Sequence, residues 1–195
     1  MAKVGLSKPY YALYSASGST VTYSDGGVMG KAVNASIEPE DTDTEIFYAD
    51  NGPAESASVF NGGTLTLEID RLLADVVGDI FGISVGSSTT PTGSTIDFSG
   101  NLTIPYVGVG MIAKSITDNT PVWMGIILPK VQFTVPTFEL STQGEEIEFS
   151  GHELTATIMR DDTANANWQK LGWFSSEADA ETWIKGFLSI TGTTT

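Results

Sequence analysis

Carboxylates and hydroxyls dominate the chemistry open to this chain, because it has a single histidine, His152, and no cysteine. Thiolate catalysis, disulfide scaffolds and cysteine-based zinc or iron–sulfur sites are excluded, and so is any site that needs a pair of histidines. His152 has no Gly-x-Ser-x-Gly nucleophile elbow to serve, so it reads as a structural residue beside a strand corner rather than as the base of a Ser/His/Asp triad. Gly30-Lys31 has the ending of a phosphate loop, but Asp25 stands where the first glycine belongs and Ala32 where the magnesium-binding hydroxyl belongs. Asp41, Asp43 and Glu45 have the leading ligand spacing of a calcium loop. Ile46 then replaces the required glycine and Gly52 the closing bidentate acid, so this is a solvated acidic segment. A carboxylate pair for glycoside hydrolysis is defined in space rather than in sequence, and nothing singles out a pair among 24 acids. Asn34-Ala35-Ser36 and Asn101-Leu102-Thr103 match glycosylation acceptors, but no secretion signal accompanies them. No catalytic residue, metal ligand or cofactor is expected.

Charge narrows the classes further. The 195 residues carry 9 Lys+Arg against 24 Asp+Glu, a net charge of −15, which excludes a general nucleic-acid binder because that needs a basic face for the phosphates. At 41% hydrophobic and 17% charged the chain can build a core and is not a disordered acidic tail. Met1 to Pro9 is positively charged, but no apolar signal region follows, and no stretch approaches the roughly 20 apolar residues of a membrane span. A soluble protein made in the cytoplasm, without membrane contact, is expected.

Among the aromatics, Trp123, Trp168, Trp173 and Trp183 read as core or interface residues rather than as a sugar-stacking platform, since Trp183 lies on the apolar stripe of a helix. Phe47 and Tyr48 differ. They sit at the centre of a long acidic loop, residues 38–58, where large aromatics are poorly explained as solvated surface and point to contact with another chain.

The elements that must position these residues are mostly strands. Leu65, Leu67 and Ile69 alternate with polar residues, and Val107, Val109 and Met111 alternate with Gly108 and Gly110, the period of a half-buried strand. Val122, Met124, Ile126 and Leu128 share one parity, Pro129 interrupts, and Val131, Phe133 and Val135 resume on the other, which marks an edge strand or a bend. Ile147 and Phe149 against Leu154, Ala156 and Ile158 make a similar switch, with a corner expected between Ser150 and Glu153. Residues 70–82 read as a helix with Asp70 as N-cap, Gly82 beyond its C-terminus, and Leu72, Leu73, Val76, Val77, Ile80 and Phe81 as its apolar side. Residues 176–189 read as a second helix opened by a capping box at Ser176-Glu177-Ala178-Asp179, with Ala180, Trp183, Ile184, Phe187 and Leu188 on one stripe. Ser84 to Ser94 reads as a flexible turn, and 191–195 as a disordered tail. Strands that do not alternate with helices predict a mainly β, antiparallel β-sandwich or half-barrel with flanking helices, in a single domain over 1–195.

Val4-Gly5-Leu6-Ser7-Lys8-Pro9-Tyr10-Tyr11-Ala12, Tyr48-Ala49-Asp50-Asn51-Gly52-Pro53, the alternating strand running into the helix at 70–82, Arg160-Asp161-Asp162, Trp168, and Glu177 to Ile184 occur in that order. Together they resemble the major tail protein of long-tailed, non-contractile phages and prophages of Gram-positive bacteria. The resemblance spans nearly the whole chain, and its chief departure is the Ser/Thr/Gly loop around 84–95. It implies a structural virion protein rather than an enzyme. Such proteins form hexameric rings that stack into a hollow tail tube around a tape-measure protein, bounded by initiator and terminator proteins. The tube is assembled in the host bacterial cytoplasm, and DNA passes through the lumen without specific binding. The residues expected at the subunit or ring interface are Phe47, Tyr48, Ala49, Asp50, Asn51, Gly52 and Pro53, an arm within 38–58. Two other classes compete: a monomeric β-sandwich binding or adhesion module of a virion or cell surface, and an acid-dependent hydrolase with a carboxyl of raised pKa in a cleft.

Overall fold

The computed structural model describes residues 2–41, 45–49, 52–57, 60–89, 91–117, 120–136 and 151–191, of which 2–4, 41, 45–49, 52–57 and 117 are described by backbone alone. The strands are β1 (Ala2–Ser17), β2 (Thr20–Val28), β3 (Ala32–Asp41), β4 (Glu45–Ala49), β5 (Gly52–Ala57), β6 (Phe60–Ile69), β7 (Val85–Thr89), β8 (Thr92–Ile96), β9 (Val107–Thr117), β10 (Thr120–Phe133), β11 (His152–Met159) and β12 (Lys170–Phe174). The helices are α1 (Ala74–Phe81) and α2 (Glu177–Phe187).

Period-2 patterning gives an eight-stranded antiparallel sheet in the order β2-β1-β9-β10-β11-β6-β3, with β12 added to β10. β10 is central rather than an edge. β9 runs along one side of it, while the other side takes β12 from Trp123 to Ile127 and β11 from Lys130 to Phe133. Pro129 sits between these two pairings, where the register with β9 also shifts, so the bend folds one sheet into two layers. Val135, expected to continue the strand, lies beyond its end and is exposed. The result is a mainly β, antiparallel sandwich with flanking helices, as the sequence predicts.

The expected inward residues are the core: Leu65, Leu67, Ile69, Val107, Val109, Met111, Leu154, Ala156 and Ile158 are buried together with Met29, Ile80, Phe81, Leu128 and Phe133. Each fully buried aliphatic or aromatic side chain contributes about 1.5–3 kcal/mol relative to exposure. α1 belongs to this inner core through Val76, Val77, Ile80 and Phe81. It starts later than expected. Leu73 is the N-cap and has no side-chain cap, because Asp70 is drawn away to accept from the Lys31 backbone N–H at 2.8 Å, pinning the end of β6 to the start of β3. Leu73 is consequently exposed. Gly82 closes the helix in the left-handed region, φ 67°, as its type suggests.

α2 lies on the opposite face of β1, β9 and β10 and makes a second apolar layer with Tyr10, Ala12, Ile112 and Ile127. Ser176 caps it by accepting from the Asp179 N–H at 3.1 Å. Gly110 and Gly125 form its seat: a β-carbon at either would run into Ile184 or the Trp183 ring. The residues at 85–96 form a β7–β8 hairpin instead of a loose turn, since Thr and Val favour extended backbone. Of the corner expected between Ser150 and Glu153, His152 and Glu153 are already paired with β6 in β11, while Ser150 and the strand residues Ile147 and Phe149 lie outside the described residues, as does the tail beyond Thr191.

Candidate assembly interface

The segment expected as a long loop over 38–58 is mostly paired backbone. β3 and β6 run antiparallel from Ala32↔Ile69 to Asp41↔Phe60, and β4 and β5 pair from Glu45↔Ala57 to Ala49↔Gly52. Among the described residues, β4 and β5 pair only with each other. The missed signal is local: Ile46-Phe47-Tyr48 favours a strand, and Asp50-Asn51-Gly52 is a turn-forming sequence. Phe47, Tyr48 and Ala49 lie in β4 and Gly52 and Pro53 in β5, with only their backbone described, whereas Asp50 and Asn51 lie outside the described residues.

Beside β3 an apolar groove of ≈ 560 Å³ opens at the side of the sandwich. Val33, Ala35 and Ile37 of β3 form one wall and Leu6 of β1, Met111 and Ala113 of β9, Met124 and Ile126 of β10 and Leu171 of β12 much of the rest, with the polar Asn34 and Gln169 also in the lining. Among the described residues no charged side chain lines it. Val33 is 55% exposed and Leu171 42%. Trp173, on the same face of β12 as Leu171, is 57% exposed. Trp168 also lines the groove, but its ring is stacked on Phe60, with centroids 4.4 Å apart and planes 6° from parallel. Trp123 and Trp183 pack in the α2 layer. The tryptophans therefore do not combine into a platform; Trp173 stands out alone. Leu171 and Trp173 were legible only as alternation around Gly172, too short a run to reveal that one face would be left open.

The outward face of β3, β6 and β11 has the opposite character. Cross-strand rows read Asn34, Glu68 and Glu153; Ser36, Thr66 and Thr155; and Glu38, Thr64 and Thr157. Glu68 is placed directly opposite Glu153, a like-charge pairing that costs stability. Among the described residues neither carboxylate is ion-paired with a Lys or Arg. His152 begins β11 opposite Ile69 and is exposed.

The charged groups elsewhere are used to hold the frame. Glu181 of α2 accepts from Lys8 at 2.5 Å, Lys185 at 2.7 Å and Tyr10 Oη at 2.8 Å, tying the helix to β1. The hydrogen bonds from Lys185 and Lys8 hold its carboxyl down at about 2. Burial, with Glu181 beside it, pushes the Tyr10 hydroxyl well above its ordinary range. Lys130 donates to Asp162 at 2.7 Å and sits over the Tyr14 and Tyr106 rings, while Tyr14 Oη donates to the same carboxylate at 2.6 Å. The Lys130 bond holds Asp162 below the usual carboxylate range, and burial pushes the Tyr14 hydroxyl up to about 12. These clusters join strand to loop and strand to helix.

Among the described residues, neither the groove beside β3 nor the shallower cleft lined by Leu102, Gln132 and Val135 has a titratable side chain in its lining. Among the described residues no three His, Asp or Glu side chains gather to hold a metal ion, and no helix is long and apolar enough to cross a membrane. Three surface features stand out among the described residues: a ribbon that pairs with no other strand, an open groove lined by no charged side chain, and a polar, acidic sheet face. The chain matches no protein-family model and no curated protein.

Proposed function

We propose that this chain is a structural subunit that closes into hexameric rings, which stack into a hollow tail tube of a phage virion. The observation that carries this reading is the β4–β5 ribbon, which pairs with no other strand described. An isolated two-stranded ribbon is at best marginally stable in water, so it gains its order from a partner. The ends of the sheet agree with this. β2 and β3 each present an unpaired outer edge among the described residues, a liability that a rotationally symmetric ring removes. The polar face of β3, β6 and β11 suits a lumen, where Glu38, Glu68 and Glu153 repel DNA phosphates so that the genome slides rather than sticks. On this reading the subunit is not an enzyme, its partners are further copies of itself, a tape-measure protein and the proteins that start and end the tube, and it is assembled in the host bacterial cytoplasm.

Negative-stain electron microscopy across a concentration series, with light scattering for the mass of the soluble species, tests the proposal. Rings or hollow tubes are expected. A strictly monomeric species, with or without a tape-measure protein, would sink it and favour a β-sandwich binding module, for which the exposed Trp173 beside the groove is the supporting observation and a glycan screen the follow-up.

A further inference from the structure

We infer that α2 is the latch of a two-register switch in β1, which decides whether Leu6 faces the groove beside β3. The switch is a bulge. Ser7 lies opposite Ile112 of β9 and Tyr10 opposite Gly110, so Lys8 and Pro9 together face the single residue Met111. The extra residue changes which face each side chain takes. Beyond the bulge, Tyr11 and Leu13 pack with the inner core and Tyr10 and Ala12 with α2; before it, Leu6 lines the groove with Ala113, while Ser7 reaches α2. An unbulged β1 continues the register of Tyr10 and Gly110, which sets Ser7 opposite Ala113 and Leu6 opposite Lys114 and turns Leu6 out of the groove.

The bulged register is strained and is held from outside the strand. Lys8 has φ 51°, in the left-handed region that a residue with a β-carbon rarely takes, and the proline that follows it favours extended backbone at that position. Strain of this kind persists only where surrounding contacts over-determine it. Those contacts come from α2. Glu181 Oε2 accepts from Lys8 Nζ at 2.5 Å, Glu177 Oε1 lies 3.4 Å from the same ammonium, and Glu177 Oε1 also accepts from Ser7 Oγ at 3.2 Å. One exposed ion pair holds little, but these three contacts meet on two adjacent residues at the bulge, and Glu181 is itself fixed through Oε1 by Tyr10 and Lys185. Release of the two carboxylates lets Gly5 to Ser7 move one place along β9, with Ser7 leaving Glu177 for the groove. The state of α2 on one face of the sheet thereby sets the shape of the groove on the other. This coupling belongs to the single chain and does not depend on rings.

Paired cysteines read the register directly, because the chain has none of its own. Leu6→Cys with Ala113→Cys reports the bulged register, and Ser7→Cys with Ala113→Cys the unbulged one. Each pair is made in the full chain, with Glu177 and Glu181 in place and with both replaced by Gln. With the glutamates in place, the first pair should close an intramolecular disulfide readily and the second slowly. With both replaced, the second pair should close about tenfold faster or more, while thermal melting stays cooperative. Lys8→Gly separates a switch from simple loosening: glycine accepts the left-handed conformation without strain, so adding it to both Gln substitutions should return the second pair to its slow rate. Unchanged closure of the second pair in the Gln background overturns the latch. Acceleration that Lys8→Gly does not reverse overturns the switch, and rapid closure of the second pair with both glutamates present overturns the bulge as the held state. If the double replacement abolishes cooperative melting, Glu177→Gln alone carries the same test, because it leaves the bonds of Glu181 to Tyr10 and Lys185 in place; about threefold acceleration is then expected, and none overturns the latch.

Discussion

The two sides of the β9–β10 region are covered in different ways. On one side, α2 lies in a seat made by Gly110 and Gly125, with Ala180, Ile184 and Leu188 fully buried and Glu181 bonded to Lys8, Lys185 and Tyr10. On the other, the inner face carrying Met124 and Ile126 continues beside them through Leu171 and Trp173 of β12 to an open groove. The first side satisfies its apolar and charged groups within the chain. The second, among the described residues, leaves apolar surface and strand edges unmet. The proposed assembly into rings would use this division: stability would come from contacts that survive in the monomer, and association from contacts that only a neighbour completes.

Perturbing each side separately should break the comparison if it is wrong. Deleting residues 40–56 removes the ribbon and should abolish assembly, while thermal melting still shows a cooperative fold; tubes from this deletion would contradict the role assigned to the arm. Gly110→Val drives a side chain into Ile184 and should cost about 1–3 kcal/mol by overpacking, a fall in Tm of about 2–12 °C. If the deletion unfolds the subunit and Gly110→Val does not, the division of labour is reversed.

Glu181 sharpens the comparison through pH. Its folded value of about 2 lies below its ordinary 4.5, so its stabilisation is complete above about pH 4.5 and is lost as pH falls through about 2. With part of the side chain in solvent, Glu181→Gln should cost about 1 kcal/mol at neutral pH and should reduce the loss of stability in that acid window. Denaturant titrations at pH 7, 4 and 2.5 measure this; an unchanged slope would mean that α2 is held by packing alone. The smallest effect belongs to the polar face. Glu68→Gln relieves the pairing with Glu153 and should stabilise the chain by about 0.2–1 kcal/mol; on the proposed tail-tube reading it should also slow genome passage. Equal infectivity after replacing Glu38, Glu68 and Glu153 together by Gln would remove the electrostatic role of that face.

Much of the fold was legible because its causes are local. The alternation at Leu65 to Ile69, the break at Pro129, the left-handed Gly82 and the Ser176 cap each depend on residues within a turn or two of themselves, and each is where the sequence puts it. Asp70 shows where that reasoning stops. Its type suits a helix cap, but Lys31, distant in sequence and brought near by the β3–β6 pairing, takes its carboxylate. The candidate interface divides in the same way: the Phe47 and Tyr48 cluster was visible in the residues, whereas the groove was not.

By itself, then, the sequence determined the strand-rich class, the apolar stripe of α2, the exclusion of cysteine chemistry and the strongly acidic surface, since composition and short-range periodicity act without knowledge of distant partners. Tertiary structure alone decided that Gly108 and Gly110, which look like the empty face of a strand, lie against side chains that pack with α2, and that Leu171 and Trp173 are left exposed. The physical reason is that strand pairing joins residues far apart in the chain, and only the completed set of pairings determines which edges and faces remain without a partner.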